Sequence, residues 1–545
     1  MTEPKGFFNQ LSHSPAVAAG LFCCLCTAAL AAAIMVQTQG LFVYPLDDSY
    51  IHLALARTLA LHHVWGMGPA EFASASSSPG WTIILAASDL IFGSHLVTPV
   101  FLNLILVFCL LIAADYGLTT FAPAAPRWIR VATPFALVLG TPLPTLTLLG
   151  MEHVAQAFSV LLLVVLATKI LAANPRTPLS AGVTTYLLVC AAFAEAIRYE
   201  AIFTVAPILL LLAWRRRFIL AICLALCSAI GPIGFGLYSH HLSGFWLPFS
   251  VLAKQALNGS MRNNLHSRIK TLATWSSGIP LLWTLLPLWL LRCRSRSFWE
   301  PAQLLLLLTL ALSVTHMLVA PIGWLMRYDS YFVCLSLYAI CLAGAATSWP
   351  THLSEAFLAL PLWNRTLTGV FAFGILWLLP SLARRINVGS VVTVKAAVDR
   401  YNEHIQMARF AATSYDHDTI VVDDLGAVAY YSNARLLDMI GLGSVEPLLM
   451  LRQGRPFNVD DMARWATEKD ASIAILQSGQ VSIRALTPKD WKLVQTWHLP
   501  RNRLFDDYDV SFYAIRPGEA ARLCTALNKF TLTPNDKITI NTCQH

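Results

Sequence analysis

Charged residues are scarce in this chain. Of its 545 residues, 12% are charged and 56% are hydrophobic, whereas about a quarter of the residues are charged in an ordinary soluble domain. This shortage excludes a conventional water-soluble fold. Apolar runs of about 20 residues, which can cross a bilayer as helices, recur from Ala16 to Leu382. They predict a polytopic α-helical membrane protein with roughly 11–13 membrane helices.

A signal-peptide cleavage site and a concentrated basic surface are also lacking. No A-x-A site follows the first apolar run, Val17–Val36, and further spans come after it, so we expect a retained anchor. The net charge of +8 is spread over loops. It therefore argues for membrane orientation and against nucleic-acid binding.

Metal-ligand spacing is absent among ten of the twelve cysteines, which lie in or beside apolar spans. Packing is the simplest role for these ten. Cys524 and Cys543 lie in a polar C-terminal region. They could form a disulfide if that region faces an oxidising compartment, and the sequence leaves this open.

Clusters of arginine predict the orientation in the membrane. Arg215–Arg217 and the group Arg292, Arg294 and Arg296 follow apolar segments and should stay cytoplasmic. Counting spans away from them places these segments outside: Glu152, Arg198–Glu200, the loop His240–Lys270, and the chain from Arg384 to His545. Arg384 and Arg385 themselves mildly oppose this assignment.

The span between Val131 and Leu149 is interrupted by Pro134, Pro142 and Pro144, and the segment Trp81–Phe92 is short. A split or re-entrant helix is expected here, because proline ends or kinks a helix.

From about Gly389 the composition becomes more polar. Short β-prone runs appear at Thr419–Val422, Ala471–Leu476 and Val510–Ile515, and Val459–Glu468 has helical character. We therefore predict a membrane domain over residues 1–388 and a soluble α/β domain over residues 389–545.

Two adjacent acids, Asp47 and Asp48, follow the first span. An amphipathic external helix near residues 48–62 is expected after them, with Asp48 or Ser49 suited to cap it. Adjacent carboxylates repel, so one is expected to have a raised pKa and could act as a general base. A solvated helix cap is the alternative, and the pair alone does not decide between them.

The surroundings of this pair resemble the GT-C glycosyltransferases, in particular the AftB-like group of bacterial arabinofuranosyltransferases. The resemblance extends over most of the chain and depends on several short motifs. The most specific is the acidic pair Asp47-Asp48-Ser49-Tyr50, then Arg57, then the serine-rich turn Ser76–Trp81 with its Pro-Gly-Trp.

Further motifs follow in the same order as in that family. They are Gly150-Met151-Glu152, Arg198-Tyr199-Glu200 with Tyr where the family has Pro, Leu247-Pro248 with Lys254, Arg327-Tyr328, and Asp423-Asp424-Leu425-Gly426-Ala427 before Tyr430-Tyr431.

The resemblance implies a GT-C fold and transfer of a sugar from a polyprenyl-phosphate donor to an extracytoplasmic glycan, lipid or protein, with inversion. It implies a multi-pass protein of the bacterial inner membrane, surrounded by membrane lipids, whose C-terminal domain is periplasmic. Arabinofuranose follows only from the nearest named relatives, and other sugars stay open.

The resemblance also assigns roles to residues. Asp47 is expected to be the base and Asp48 to orient it, although the reverse stays open. Cations should neutralise the leaving phosphate, and the candidates are Lys254, Arg198 and Arg327. Arg198 could instead pair with Glu200. The candidates for substrate binding are Glu152, Glu200, Tyr50, His52 and Arg57.

No cofactor is predicted, since His52, His62, His63 and His153 lack ligand spacing, although Glu152 and Asp47 leave room for a divalent metal. Two other classes of function stay open. One is a polytopic transporter or lipid flippase, and the other is a non-catalytic GT-C-like subunit.

Overall fold

The structure is a computed structural model that describes residues 14–258, 277–347, 361–477, 480–499, 509–533 and 538–543. Within these ranges, apolar helices occupy most of the chain before residue 390, and a sheet with short helices follows. The predicted combination of membrane helices and a C-terminal α/β region is confirmed.

In the described part of the chain, six helices are long and apolar enough to cross a membrane: Pro15–Gln37, Thr98–Phe121, His153–Ala172, Phe218–Ser243, Pro301–Val319 and part of the continuous helix Leu362–Ser414. Five shorter apolar helices accompany them: Pro79–Phe92, Ala181–Ile197, Ile202–Trp214, Gly278–Ser295 and Ser330–Ala345. The chain is a multi-pass membrane protein.

The proline-rich segment forms two helices, as predicted. Arg127–Gly140 contains Pro134, and Leu143–Leu148 begins just after Pro142. Proline cannot donate a backbone hydrogen bond, so the helix ends before Pro142. The segment after the acidic pair is also helical, over Asp48–His62.

The last membrane helix is longer than the apolar pattern indicates. It was expected to end at Leu382, but it begins at Leu362 and continues to Ser414, widening to π-helical turns at Val388–Val392 and Tyr401–Ile405. Hydropathy marks the apolar part of a helix and not its end, so the polar continuation was missed.

Arg385 opposed the predicted orientation because positive charge favours the cytoplasmic side of a membrane. The Arg385 side chain is buried, and its Nη1 lies 2.7 Å from Asp329 Oδ2, with side-chain exposures of 1% and 0%. Its Nε also donates to the carbonyl of Gly140 at 3.2 Å. An arginine paired inside the protein carries little information about membrane orientation.

The C-terminal region contains one six-stranded mixed sheet. The strands are β1 (Thr419–Val422), β2 (Arg435–Asp438), β3 (Ala471–Gln477), β4 (Lys492–His498), β5 (Val510–Ala514) and β6 (Thr539–Ile540). Their order is β2-β1-β3-β5-β4-β6. β1 runs parallel to β2 and β3, and β5 runs antiparallel to β3 and β4. All seven residues of β3 are buried, so the core of this region lies around it.

Short helices accompany the sheet: Gly426–Tyr431, Glu446–Arg452, Val459–Glu468, Val481–Leu486 and Glu519–Lys529. The prediction of a helix at Val459–Glu468 is confirmed. Its first turn is held by Asn458, whose side chain accepts hydrogen bonds from the backbone N–H groups of Asp460 and Asp461.

The described chain divides into two compact units. The first contains the described residues within Met1–Leu30, Pro99–Ile233 and Asn264–Val391, and the second contains those within Ala31–Thr98, Gly234–Asn263 and Val392–His545. The second unit therefore combines the C-terminal region with the segment that carries the acidic pair. The division into a membrane domain over residues 1–388 and a soluble domain over residues 389–545 stays a prediction.

All twelve cysteines lie in the described part of the chain, and all are free thiols. Cys543 Sγ lies 3.7 Å from the carbonyl oxygen of Cys524, which is itself buried. The disulfide that the sequence left open is not present in this structure.

Candidate active site

Asp47 precedes the helix Asp48–His62 but does not cap it. The helix begins at Asp48, so the prediction that Asp48 or Ser49 caps it is wrong. The carboxylate of Asp47 instead accepts hydrogen bonds from the backbone N–H groups of Gly426, at 2.6 Å, and Ala427, at 2.8 Å. It therefore binds the start of another helix, Gly426–Tyr431, which is distant in sequence.

Arg57 binds the other end of that helix. Its Nη1 donates to the carbonyl of Tyr430 at 2.6 Å, and its Nη2 donates to the carbonyl of Ala429 at 3.0 Å. An acid thus lies at the amino end and a guanidinium at the carboxyl end, as the partial charges of a helix favour. The helix Gly426–Tyr431 is held between two residues of one sequence motif.

Gly426 is required by the close approach of Asp47. A Cβ atom at position 426 would lie 2.4 Å from the carbonyl oxygen of Asp47 and 2.5 Å from its Oδ2. Real Cβ atoms do not approach backbone so closely, so the glycine of the Asp-Leu-Gly-Ala motif is explained by packing.

Tyr50 and His52 hold their own helix, Asp48–His62, to its neighbours. The Tyr50 hydroxyl accepts a hydrogen bond from the backbone N–H of Tyr44 at 3.1 Å. His52 Nδ1 lies 3.2 Å from Ser76 Oγ, which accepts from the N–H of Ser78. The serine-rich turn is therefore attached to the helix by His52. Substrate binding by Tyr50, His52 and Arg57 stays a prediction.

A charged network is adjacent to Asp47. His404 Nε2 lies 2.6 Å from Asp424 Oδ2, and Gln477 Nε2 donates to the same oxygen at 3.0 Å. Gln477 also donates to Glu403 Oε1 at 2.8 Å, and Arg400 Nη1 donates to Glu403 Oε2 at 3.3 Å. Glu403 and His404 lie on a π-helical turn, a feature frequent at functional sites.

Sequence reasoning selected Asp424 only as part of a motif and missed the other members of the network. Asp424 follows β1 and Gln477 ends β3, and these two strands are parallel neighbours. Side chains at the carboxyl ends of parallel strands meet at one edge of a sheet, which is a signal that could have found both. Arg400, Glu403 and His404 lie on a helix whose existence the hydropathy did not reveal.

Burial raises the pKa of Asp47 to about 6, and the nearby charge of Asp424 acts in the same direction. The charge of His404 and the two backbone N–H donors oppose this rise. Burial also acts to raise the pKa of Asp424, but His404 and then Arg400 outweigh it, so its pKa is lowered. Of these two acids, Asp47 titrates nearer to neutral pH, where a general base is most effective.

Asp47, His404 and Asp424 each place one ligand atom within 4.8 Å of the others, so they could hold a metal ion. Carboxylate and imidazole suit several divalent metals. However, Arg400 Nη1 lies 2.8 Å and 2.7 Å from the two ring nitrogens of His404, so a cation already occupies the position beside this imidazole. The contacts fit a charge-balanced network better than a ligand set, and no step is assigned to a metal.

The first unit contains a second cluster of predicted site residues. Arg198 Nη1 donates to Glu152 Oε1 at 2.7 Å. Its Nε and Nη2 donate to the two oxygens of Glu200 at 3.0 Å and 2.6 Å. Arg198 therefore pairs with Glu200, as one reading of the sequence proposed, and with Glu152 as well.

Arg327 lies close to this cluster within the same unit. Its Nη2 donates to the Tyr328 hydroxyl at 2.9 Å, and its Cζ lies 4.7 Å from the centre of the Tyr328 ring. Arg198 Cζ lies 5.9 Å from the same ring. The structure thus brings together four residues that the sequence selected: Glu152, Arg198, Glu200 and Arg327.

Asp48 and Lys254 complete the predicted set. Asp48 is the partly exposed first residue of its helix. The backbone of Lys254 lies in the helix Phe249–Asn258, but its side chain is outside the described residues. Its role at a phosphate stays a prediction.

Comparison with known proteins identifies the fold. A family model described as "Domain of unknown function (DUF8728)" matches residues 394–513. A search of curated proteins found no match.

Solved structures give matches over almost the whole chain. ArnT from Cupriavidus metallidurans in the apo state has a TM-score of 0.51 at 14% identity, covering 92% of this chain and 99% of that one. The same protein bound to undecaprenyl phosphate has a TM-score of 0.50 at 13% identity, with 91% and 98% covered. The oligosaccharyltransferase of Archaeoglobus fulgidus in complex with Zn and sulfate has a TM-score of 0.51 at 14% identity, with 89% and 72% covered.

Identities this low are informative about the fold alone. These proteins have the GT-C fold, so the architecture that the sequence motifs predicted is confirmed, whereas the AftB-like subgroup is not. The chain has the GT-C fold.

Proposed function

We propose that this protein is a membrane glycosyltransferase that transfers a sugar from a polyprenyl-phosphate donor to an extracytoplasmic glycan, lipid or protein acceptor, with inversion. Arabinofuranose is the first candidate sugar, through the AftB-like sequence motifs. The observation that carries the proposal is Asp47: a buried carboxylate whose pKa is about 6, within a chain that has the GT-C fold.

An inverting transfer needs one base to take the proton of the acceptor hydroxyl. At neutral pH Asp47 is mostly ionised, so it can accept that proton. Each of its oxygens receives one backbone N–H, and a carboxylate oxygen can accept a second hydrogen bond. The two N–H groups fix the direction of the carboxylate and leave capacity for the acceptor.

The leaving phosphate needs positive charge, and the cluster in the first unit is our candidate for it. Arg198 is already bound by two glutamates, which makes it a residue that positions Glu152 and Glu200. Arg327 and Lys254 are therefore our preferred phosphate ligands. Asp48 is assigned to the orientation of the acceptor or of Asp47.

A non-catalytic subunit is the second candidate, and one observation favours it. Both oxygens of Asp47 bind the start of the helix Gly426–Tyr431, so this acid has a structural function whether or not it is a base. The two proposals differ in the effect of removing the charge of Asp47 alone. The enzyme proposal expects a loss of sugar transfer, whereas the subunit proposal expects only an effect on packing.

The test is sugar transfer from radiolabelled polyprenyl-phosphate donors, with arabinofuranose first in the panel. We expect Asp47→Asn to reduce turnover at least 100-fold, which is the usual contribution of a general base. We expect Asp48→Asn to reduce it much less. Asn keeps one acceptor oxygen but loses a hydrogen bond to the helix, so its effect on packing must be measured separately.

The midpoint of thermal unfolding in detergent supplies that control, because a loss of packing lowers it and the loss of a base alone does not. If Asp47→Asn keeps the wild-type turnover, or loses turnover only at temperatures where the variant unfolds, the acid is structural and the assignment of the base fails. If the wild-type protein transfers no sugar from any donor in the panel, the non-catalytic proposal is favoured.

A further inference from the structure

An apolar groove lies between three helices of the first unit: Thr98–Phe121, His153–Ala172 and Ala181–Ile197. Its volume is about 680 Å³, and the side chains that line it include Phe158, Leu162 and Leu166. This volume is within the range of about 300–1,000 Å³ that is usual for pockets that bind small molecules.

The groove opens towards the surroundings of the membrane helices. Tyr186 and Val189, on the shorter apolar helix Ala181–Ile197, line it with exposures of 69% and 62%, and the other two helices are long enough to span a bilayer. Large apolar side chains exposed on such helices contact acyl chains. The natural content of the groove is therefore a lipid chain and not water.

One end of the groove carries a positive charge. Lys169 lies in the last turn of the helix His153–Ala172, and its Nζ donates to the Tyr116 hydroxyl at 2.5 Å. Tyr116 itself lines the groove. No carboxylate pairs with Lys169 among the residues that the structure describes, and an ammonium group has three N–H donors. Two donors therefore remain for an anion at the end of the groove.

The neighbouring loop adds to this charge. Arg176 is exposed, and Arg217 Nη2 donates to the carbonyl of Asn174 at 3.1 Å, which holds the loop beside the arginines that follow Trp214. Basic residues near a bilayer surface favour anionic lipids over neutral ones.

We propose that this groove binds an anionic glycerophospholipid, with one acyl chain between the three helices and the phosphate against Lys169 Nζ and the Tyr116 hydroxyl. The ligand is a lipid of the surrounding membrane and neither donor nor acceptor, so the inference does not depend on the proposed transfer reaction. A zwitterionic lipid offers the same chain and phosphate, but its own cation is repelled by Lys169 and Arg176.

The experiment titrates the full-length purified protein with phosphatidylglycerol and phosphatidylcholine that have identical acyl chains, and counts bound lipid by native mass spectrometry. We expect phosphatidylglycerol to bind about fivefold more tightly, which corresponds to the effect of one basic residue near anionic lipid. Lys169→Ala should remove this preference, and Lys169→Arg should keep most of it.

Two further variants make the test specific to this groove. Arg216→Ala removes an exposed charge outside the groove, near the same end of the helices, and should preserve the preference. A Cβ at position 182 would meet only Ser180 Oγ, at 3.9 Å, so Gly182→Leu should place a side chain in open groove without disturbing the backbone. This variant should weaken the binding of both lipids.

Equal binding of the two lipids to the wild-type protein would overturn the proposal. A preference that survives in Lys169→Ala but disappears in Arg216→Ala would also overturn it, by placing the lipid on the surface. A third arm titrates polyprenyl phosphate: if it binds the groove more tightly than phosphatidylglycerol and Gly182→Leu blocks it, the groove belongs to the donor chain.

Discussion

The ionisation of Asp47 is controlled by residues from three separate segments of the chain. Its own burial and the charge of Asp424 favour the protonated acid, whereas the charge of His404 and the N–H groups of Gly426 and Ala427 favour the carboxylate. Burial and the charge of Asp424 outweigh the opposing groups, so the pKa is raised to about 6. A small change in either neighbouring charge should therefore be measurable in the pH dependence of the reaction.

We predict that turnover rises from pH 5 to pH 7 with an apparent pKa of about 6, because the base must be ionised and its pKa is raised to about 6. His404→Gln removes a positive charge and should move this profile to higher pH. Asp424→Asn removes a negative charge and should move it to lower pH. The measurement is the pH profile of sugar transfer at saturating donor.

Opposite shifts from two residues in contact are difficult to obtain from a loss of structure, which would lower the rate at every pH. Asp490→Asn, an exposed acid elsewhere in the C-terminal region, serves as the control and should leave the profile unchanged. Profiles of His404→Gln and Asp424→Asn that move in the same direction would contradict this electrostatic account.

The helix Gly426–Tyr431 illustrates how an element depends on its surroundings. Six residues are too few for a stable isolated helix in water. The helix forms because Asp47 binds its first N–H groups, Arg57 binds its last carbonyls, and its buried residues pack against the helix Asp48–His62. Its stability is tertiary and not local.

We predict that Gly426→Ala destabilises the protein by about 1–3 kcal/mol, the usual cost of overpacking at a site with backbone on the opposite side. A Cβ at position 426 would lie 2.4 Å from the carbonyl oxygen of Asp47. The measurement is the midpoint of thermal unfolding in detergent. Gly68→Ala is the matched control, because a Cβ at position 68 meets nothing within 4 Å. An equal midpoint for both variants would refute the close approach.

Elements with a clear local pattern were predicted well from the sequence. β1 was predicted at its observed bounds, Thr419–Val422, because a short β-branched run lies between polar residues. β2 and β4 were missed: Arg435–Asp438 and Lys492–His498 mix charged and apolar residues, and they become strands through pairing with distant neighbours.

The candidate site was predictable only where a motif marked it. Asp47 was found from its acidic neighbour and its position after a span. Its partners in the structure, His404 and the N–H groups of Gly426 and Ala427, are distant in sequence, and no local spacing connects them. The prediction that Asp48 or Ser49 caps the following helix was wrong because capping rules describe a helix in isolation.

A buried ion pair stabilises the last membrane helix within the first unit. Arg385 donates to Asp329 at 2.7 Å, and both side chains are almost fully buried. We predict that Asp329→Ala destabilises the protein by about 3–5 kcal/mol, since it leaves a buried guanidinium without its carboxylate.

Thermal unfolding in detergent measures this effect. The double variant Asp329→Ala with Arg385→Leu should recover much of the loss, because it removes the charge that would stay unpaired. If the double variant recovers no stability, the loss in Asp329→Ala does not come from an unpaired buried guanidinium, and this explanation is wrong.

At the scale of the whole molecule, orientation in the membrane is the main property that the arginine clusters predict. The burial of Arg385 removes one objection, since a residue paired inside the protein does not act as a cytoplasmic anchor. Arg292 is also paired, because its Nη2 donates to both carboxylate oxygens of Glu300 at 2.8 Å. The group Arg292, Arg294 and Arg296 is therefore weaker evidence for a cytoplasmic side than its three arginines indicate. Arg215–Arg217 therefore carries most of the argument for a cytoplasmic side.

Two cysteines offer a direct measurement of this orientation. Cys543 is partly exposed near the C-terminus, and Cys293, also partly exposed, lies beside Arg292 at the end of the helix Gly278–Ser295. If the arginines are cytoplasmic and the C-terminal region is periplasmic, the two thiols lie on opposite sides of the membrane. Cys524 is unsuitable as a probe because it is buried.

We predict that a variant retaining only Cys543 reacts with a membrane-impermeant maleimide in spheroplasts, in which the outer barrier has been removed. A variant retaining only Cys293 should react only after the membrane is permeabilised. Labelling of both after permeabilisation is the control for accessibility. The reverse pattern would place the C-terminal region in the cytoplasm, and it would put Asp424 and His404 on the side opposite to the one that an extracytoplasmic acceptor requires.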